Sequence, residues 1–156
     1  GEKLYRRSMY TFWKRTSPPP SMTTFDAPDR ETCQVRRART NTPLQALVLM
    51  NDVQFIEAAR KFAERILRNG GESDEQRLVY AFRSIVGRRP STEELEKLLV
   101  FQADYRQQFG QDETAVTQFL SAGESPRDES LDASDLAAWS MLAHLLMNLS
   151  ETITKG

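Results

Sequence analysis

The chain is poor in the residues from which catalytic and metal sites are usually assembled, with one cysteine and one histidine among 156 residues. Cys33 alone excludes an internal disulfide framework and a cysteine-based metal or haem site. It leaves the compartment open, because an exported domain of this size can stand without disulfides. No apolar run is longer than Ala46-Leu47-Val48-Leu49-Met50, far short of the roughly 20 residues that span a bilayer. No signal-peptide pattern opens the chain. Charge of one sign is missing too: 21 basic and 22 acidic residues leave a net charge of −1, so nothing overall draws the protein to nucleic acid or anionic lipid. Any anion affinity must come from local clustering.

Catalytic signatures are likewise absent. There is no HExxH zinc pair, no GxSxG elbow, no Gly-rich phosphate loop and no calcium-loop spacing of carboxylates. The adjacent acids Glu93-Glu94 and Asp128-Glu129 point apart or into water and do not converge on one bond. His144 lies in the apolar segment Met141–Met147, where a satisfied structural histidine is the expected reading. Arg30 and Arg36 could lower the Cys33 thiol pKa, but no base is placed beside it, so Cys33 reads as a packed structural residue.

What the chain does have is helical periodicity. A length of 156 residues suits one domain able to bury roughly 70% of its extended surface. Residues 1–42 read as an extended, proline-rich arm. Leu4–Trp13 fits a short helix without excluding a strand, Pro18-Pro19-Pro20 forms a stiff strut, and Ser21–Thr32 is a turn-rich loop anchored by Met22 and Phe25. Residues 43–156 form the helical body. Thr42 caps a helix with Pro43 at its first position and Leu44, Leu47 and Val48 inward. Asp52 caps a long helix with Phe55, Ile56, Ala59, Phe62, Ala63, Ile66 and Leu67 on one face. Ser73 or Asp74 starts a third, and Ser91-Thr92-Glu93-Glu94 is a capping box for a fourth, closed by Gly110. A shorter helix lies within 112–122, and Asp132 or Ser134 caps the last, with Leu136, Trp139, Ala143, Leu146 and Leu149 as its stripe. Together they predict an all-α, irregular bundle of five or six helices.

One polar hub stands out. Arg36, Arg37, Arg39, Thr40, Asn41 and Thr42 bring three guanidinium groups, two hydroxyls and an amide to a helix N-terminus. They suit a small anion or an acidic face of a neighbouring domain. The competing and favoured reading is structural: Asp26, Asp29 and Glu31, with Arg30, form ion pairs with the cluster and clamp the loop to the body. Arg88-Arg89, before Pro90, reads as a basic pair placed at the negative end of the preceding helix.

The segments Tyr5–Arg15, Pro18–Met22, Thr24–Arg30 and Arg39–Leu47, followed by Ala81-Phe82-Arg83, Gly87-Arg88-Arg89-Pro90 and Ala137-Ala138-Trp139, together resemble the C-terminal part of the planctomycete PSD1 (DUF1553) domain, a family of unknown function. The resemblance implies a module of a large, exported, multidomain bacterial protein whose upstream domains include a cytochrome c-like one. Haem follows only by that association, since no CxxCH motif is present, and no cofactor is expected in these residues. The opening Gly1 reads as the scar of an excised fragment. The expected role is a non-catalytic structural or interaction module whose partners are upstream domains of the same polypeptide. The alternative is part of an enzyme for an anionic or glycan substrate, the arginine cluster orienting the substrate and the upstream half supplying the catalytic groups.

Overall fold

The computed structural model describes residues 6, 8–14, 16–29, 31–36 and 38–154. Among them the fold is all-α with no strand. Its helices are α1 (Pro20–Thr24), α2 (Pro43–Asn51), α3 (Val53–Asn69), α4 (Asp74–Val86), α5 (Thr92–Gln111), α6 (Glu113–Leu120), α7 (Ala133–Met147) and α8 (Ser150–Ile153). Start signals are read directly by the backbone. Thr42, Ser73 and Ser91 each form a full capping box with the residue three positions on, and Asp52, Asp112 and Asp132 accept from first-turn N–H groups. Each such cap stabilises its helix by about 1 kcal/mol. Gly87 ends α4 in the left-handed conformation at φ 85°, which a residue with a Cβ adopts only at a cost.

The core is one cluster centred on α7. Leu136, Ala137, Trp139, Leu142, Ala143 and Leu146 are fully buried, so α7 is enclosed on all sides and not striped as its sequence suggests. α3 and α5 pack most extensively against it, with α6 and α4 completing the shell. Leu149 falls beyond α7. Full burial of each large apolar side chain stabilises by roughly 1.5–3 kcal/mol, which concentrates stability in residues 45–146. No described residue of the arm, 6–42, is buried.

Several expectations change. The arm holds a 3₁₀ turn at Ser8–Tyr10 and one isolated antiparallel bridge between Lys14 and Ser17. Residues 6 and 11–13 of the segment expected to be helix or strand are neither, and residues 4, 5 and 7 lie outside the described residues. The strut ends sooner than expected because Pro20 takes the first position of α1, where its missing N–H costs nothing. Phe25 does anchor this stretch, meeting Phe55 edge to face at 6.0 Å, and Met22 is half-buried. Gly110 does not close α5, which continues to Gln111.

The largest correction concerns α2. Leu44 and Leu47, expected inward, are 56% and 57% exposed, and the buried residues are Gln45 and Leu49. α2 is apolar on every side, so its sequence cannot choose which face turns inward. The choice is made by Gln45, whose amide finds its partners beneath the helix.

Candidate functional site

The hub at the start of α2 is organised by that glutamine. Gln45 is 1% exposed. Its Nε2 donates to the Thr24 carbonyl at 2.9 Å and to Thr40 Oγ1 at 3.0 Å, and its Oε1 accepts from the Thr42 N–H at 3.0 Å. One side chain therefore ties the end of α1, the loop and the N-cap together. Asp26, held at φ 57°, accepts from the Thr40 N–H at 2.7 Å and from Thr40 Oγ1 at 2.9 Å. The Asn41 amide donates to Ser150 Oγ at 2.9 Å, which links the hub to α8.

The remaining hub residues are dispersed. Asp29 accepts from the Glu31 backbone N–H, a local turn. Arg36 is exposed and has no hydrogen bond or ion pair among the described residues. Arg30 and Arg37 lie outside the described residues. Cys33 is exposed, which overturns the expectation of a packed thiol: its loop runs over the surface, and residues 31–36 all face solvent.

Asp26, Arg39, Thr40 and Gln45 line a cavity of about 430 Å³ with Phe25, Ala38 and the Thr152, Ile153 and Thr154 edge of α8. Its donors are largely committed. Thr40 and Gln45 bond as above, and Thr152 Oγ1 donates to the Leu146 carbonyl at 2.9 Å. The α2 N-terminus is closed as well: Pro43 has no N–H, Gln45 N–H bonds Thr42 Oγ1 and Ala46 N–H bonds the Thr42 carbonyl. Of the first-turn donors, only the Leu44 N–H remains for a ligand.

A second polar centre, which the sequence reading passed over, lies between α3 and residues 122–130. Glu57 and Arg60 are each 2% exposed and Glu64 7%. Glu57 Oε2 accepts from the Glu124 and Ser125 N–H groups at 2.5 and 3.1 Å, and Arg60 Nη2 donates to the Ser125 carbonyl at 2.6 Å. Lys61 donates to the Pro126 carbonyl at 2.6 Å, Glu64 accepts from the Asp128 N–H at 3.2 Å, and Arg68 pairs with Asp128. Gly123, at φ 92°, lets this loop lie directly on Glu57, where a Cβ would collide with the carboxylate. The signal was there: charges of alternating sign at three- and four-residue spacing mark one helical face.

Two arginine clamps complete the charged framework. Arg88 binds Glu94 at the start of α5 and Glu151 of α8, at 2.7 and 2.8 Å, and lies over the Phe82 ring at 4.9 Å. Its role is thus a bridge between elements, more than a charge beside the end of α4. The Arg88 guanidinium, with the Ser91 N–H, holds the Glu94 carboxyl down to about 2. Arg106 joins Asp74 of α4 to Asp135 of α7 at 2.8 and 2.7 Å, and its hydrogen bonds hold Asp74 below the usual carboxylate range. His144 is buried with Nε2 2.7 Å from the Leu49 carbonyl oxygen. That contact requires a proton on Nε2 and pins α7 to α2. Among the described residues no three His, Cys, Asp or Glu side chains gather as a metal site, and no helix is long and apolar enough to cross a membrane.

These elements define an all-α domain with a basic arm tied to it by side-chain pins. Residues 1–102 match the model of PSD1, a protein of unknown function (DUF1553), and the chain belongs to that family. The matched span ends within α5, so Ala137-Ala138-Trp139 lies beyond it. No curated protein and no solved structure matches the chain.

Proposed function

We propose that this domain is a non-catalytic structural or interaction module, and that it packs against another part of a longer, exported polypeptide through α2 and the arm. The observation that carries this reading is the outer row of α2. Leu44, Leu47 and Met50 fall on one line and are 56–57% exposed. α2 has no ionisable residue from end to end, and Val53 continues the apolar surface into α3. A helix apolar on every side ordinarily has cover on every side. The hub behind it keeps the arm in register, and its internal hydrogen bonds favour a structural role. Cytochrome c-like domains in the same polypeptide remain part of this reading through the family resemblance alone.

The experiment replaces Leu44, Leu47 and Met50 with serine. These side chains contribute little to the domain's own core, so helicity and the denaturation midpoint stay near wild type while affinity for the remainder of the polypeptide, supplied in trans, falls by 100-fold or more, at roughly 1–3 kcal/mol for each buried anchor. A variant that unfolds, or that binds unchanged, sinks the proposal.

A second reading rests on the cavity beside Arg39. In it the domain forms one wall of an active site for an anionic or glycan substrate, completed by residues from elsewhere in the polypeptide. Arg36→Ala with Arg39→Ala separates the two: a folded variant whose full-length protein loses ligand or activity favours the enzyme.

A further inference from the structure

The near-zero net charge conceals a division. Residues 1–42 contain nine Lys and Arg against four Asp and Glu, a surplus of five positive charges, while residues 43–156 contain twelve against eighteen, a surplus of six negative charges. In the arm, Arg6 and Lys14 are exposed and have no ion-pair partner among the described residues. Between them stand Met9, Tyr10 and Phe12, 64%, 69% and 82% exposed. The pattern is cation, apolar cluster, cation.

The outer face of α5 carries the opposite pattern. Val100 and Phe101 are exposed large hydrophobics. Glu96 and Asp104, four residues to either side of Val100, are exposed and without partners among the described residues. Helical geometry puts Glu96, Val100 and Asp104 on one line about 12 Å long. Lys97, also on this face, is paired with Glu93 at 2.6 Å and so adds no net charge. Acid, apolar cluster, acid is the complement of the arm.

We propose that a second copy of this chain occupies the arm: the exposed Arg6, Met9, Tyr10, Phe12 and Lys14 of one molecule dock on the Glu96–Asp104 face of another. The contact is intermolecular because the two faces belong to different parts of the surface. The arm shares a cavity with α1 and the start of α3, lined by Arg6, Ser8, Met22, Asp52 and Phe55 among others, whereas α5 packs on α4, α6 and α7. Contact between unlike faces is head to tail and gives rings or open chains. Opposite charges at its rim confer orientation and salt sensitivity, and the apolar centre confers the hold. It leaves free the α2 row, which carries the proposed function, and competes with that reading only for the arm.

Sedimentation equilibrium on the 156-residue chain tests this. The expected result is a mass that rises above 17.9 kDa with concentration, with an association constant about tenfold weaker at high than at low salt as the rim charges are screened. Arg6→Glu with Lys14→Glu abolishes association, and so does Glu96→Lys with Asp104→Lys. Mixing those two variants restores association, with the two in equal proportion. All four positions are exposed, and circular dichroism verifies that each variant keeps its helicity. A strictly monomeric wild type overturns the proposal, as does association indifferent to both charge reversals or a mixture that does not pair. Binding of the wild type to anionic phospholipid vesicles with no self-association also overturns it, and assigns the arm to a lipid surface.

Discussion

The loop before α2 and the face of α3 that meets residues 122–130 hold similar charged groups, yet the structure treats them oppositely. In the loop the arginines are neighbours in sequence and Arg36 faces solvent with no partner among the described residues, while the uncharged Gln45 and Thr40, with Asp26, tie the arm to the body. On α3 the signs alternate at helical spacing, and Glu57, Arg60 and Glu64 are almost fully buried. The difference is one of available partners. A charge leaves water at a cost of several kcal/mol unless opposite charge and hydrogen bonds meet it. Lys61 gives Glu64 a counter-charge within one turn of α3, and the 122–130 loop meets Glu57 with N–H groups and one edge of Arg60 with carbonyls, while Arg60 Nε and Nη1 have no hydrogen bond among the described residues. Arg36, beside another arginine in sequence, meets no such set among the described residues, so local density of arginine is a poor guide to where charge is structurally committed.

Breaking the α3 side is expected to have the largest effect. Arg60→Ala strips the Ala122 and Ser125 carbonyls of their donor and leaves the buried Glu57 carboxylate one turn from an empty position. Two carbonyls stripped of their donor at about 1–3 kcal/mol each, with the cavity left by a buried side chain, make the expected cost about 3–5 kcal/mol, to be read as a fall in the urea midpoint. A drop below about 1 kcal/mol would put Arg60 on the same footing as the exposed arginines and erase the contrast. Gln45→Ala comes next. It removes three hydrogen bonds and leaves buried partners unsatisfied, an expected cost of about 1–3 kcal/mol. Its local effect discriminates better: amide exchange at Thr40 and Thr42 should accelerate while that of α7 shifts only with global stability.

The same contrast explains what could be read in advance. Helix starts were legible because a cap is a local device: Thr42, Asp52, Ser73, Ser91 and Asp132 all act within three residues of themselves. The inward face of α3 was legible because its polar and apolar residues segregate. α2 and α7 were not, since a uniformly apolar helix has no phase to read, and so the exposure of Leu44 and Leu47 and the full enclosure of α7 came only with the tertiary structure. Arg88 was misread for a different reason, its partner Glu151 lying 63 residues away. The helix at Pro20 was missed because a third consecutive proline suggested continued extension, although the same residue is well suited to open a helix.

The clamp at Arg88 occupies an intermediate place, exposed yet paired, and pH tests it. Glu94 is held to about 2 in the fold, against an ordinary 4.5. A lowered folded pKa contributes stability that is complete above 4.5 and lost as pH falls toward 2. Asp74, also lowered, acts in the same direction in its own range just below 3.8. The wild type should therefore lose stability steadily below pH 4.5, and Arg88→Met should flatten that limb; a limb left unchanged would show that Arg88 does not hold Glu94 down in solution.

The smallest effect is expected at Arg36. With no partner among the described residues and solvent on all sides, Arg36→Ala should change the unfolding free energy by no more than about 0.5 kcal/mol, at low salt and high salt alike. The salt comparison gives this null its force. Were Arg36 to stabilise the domain through diffuse attraction to the acidic body, the substitution would destabilise at low ionic strength and the loss would vanish as the Debye length shrinks to about 3 Å at 1 M. A salt-dependent loss above 1 kcal/mol would show that the loop's charge is used in the isolated fold after all. Indifference leaves Arg36 available for contacts outside the domain, which is the condition the substrate-orienting reading of the hub requires.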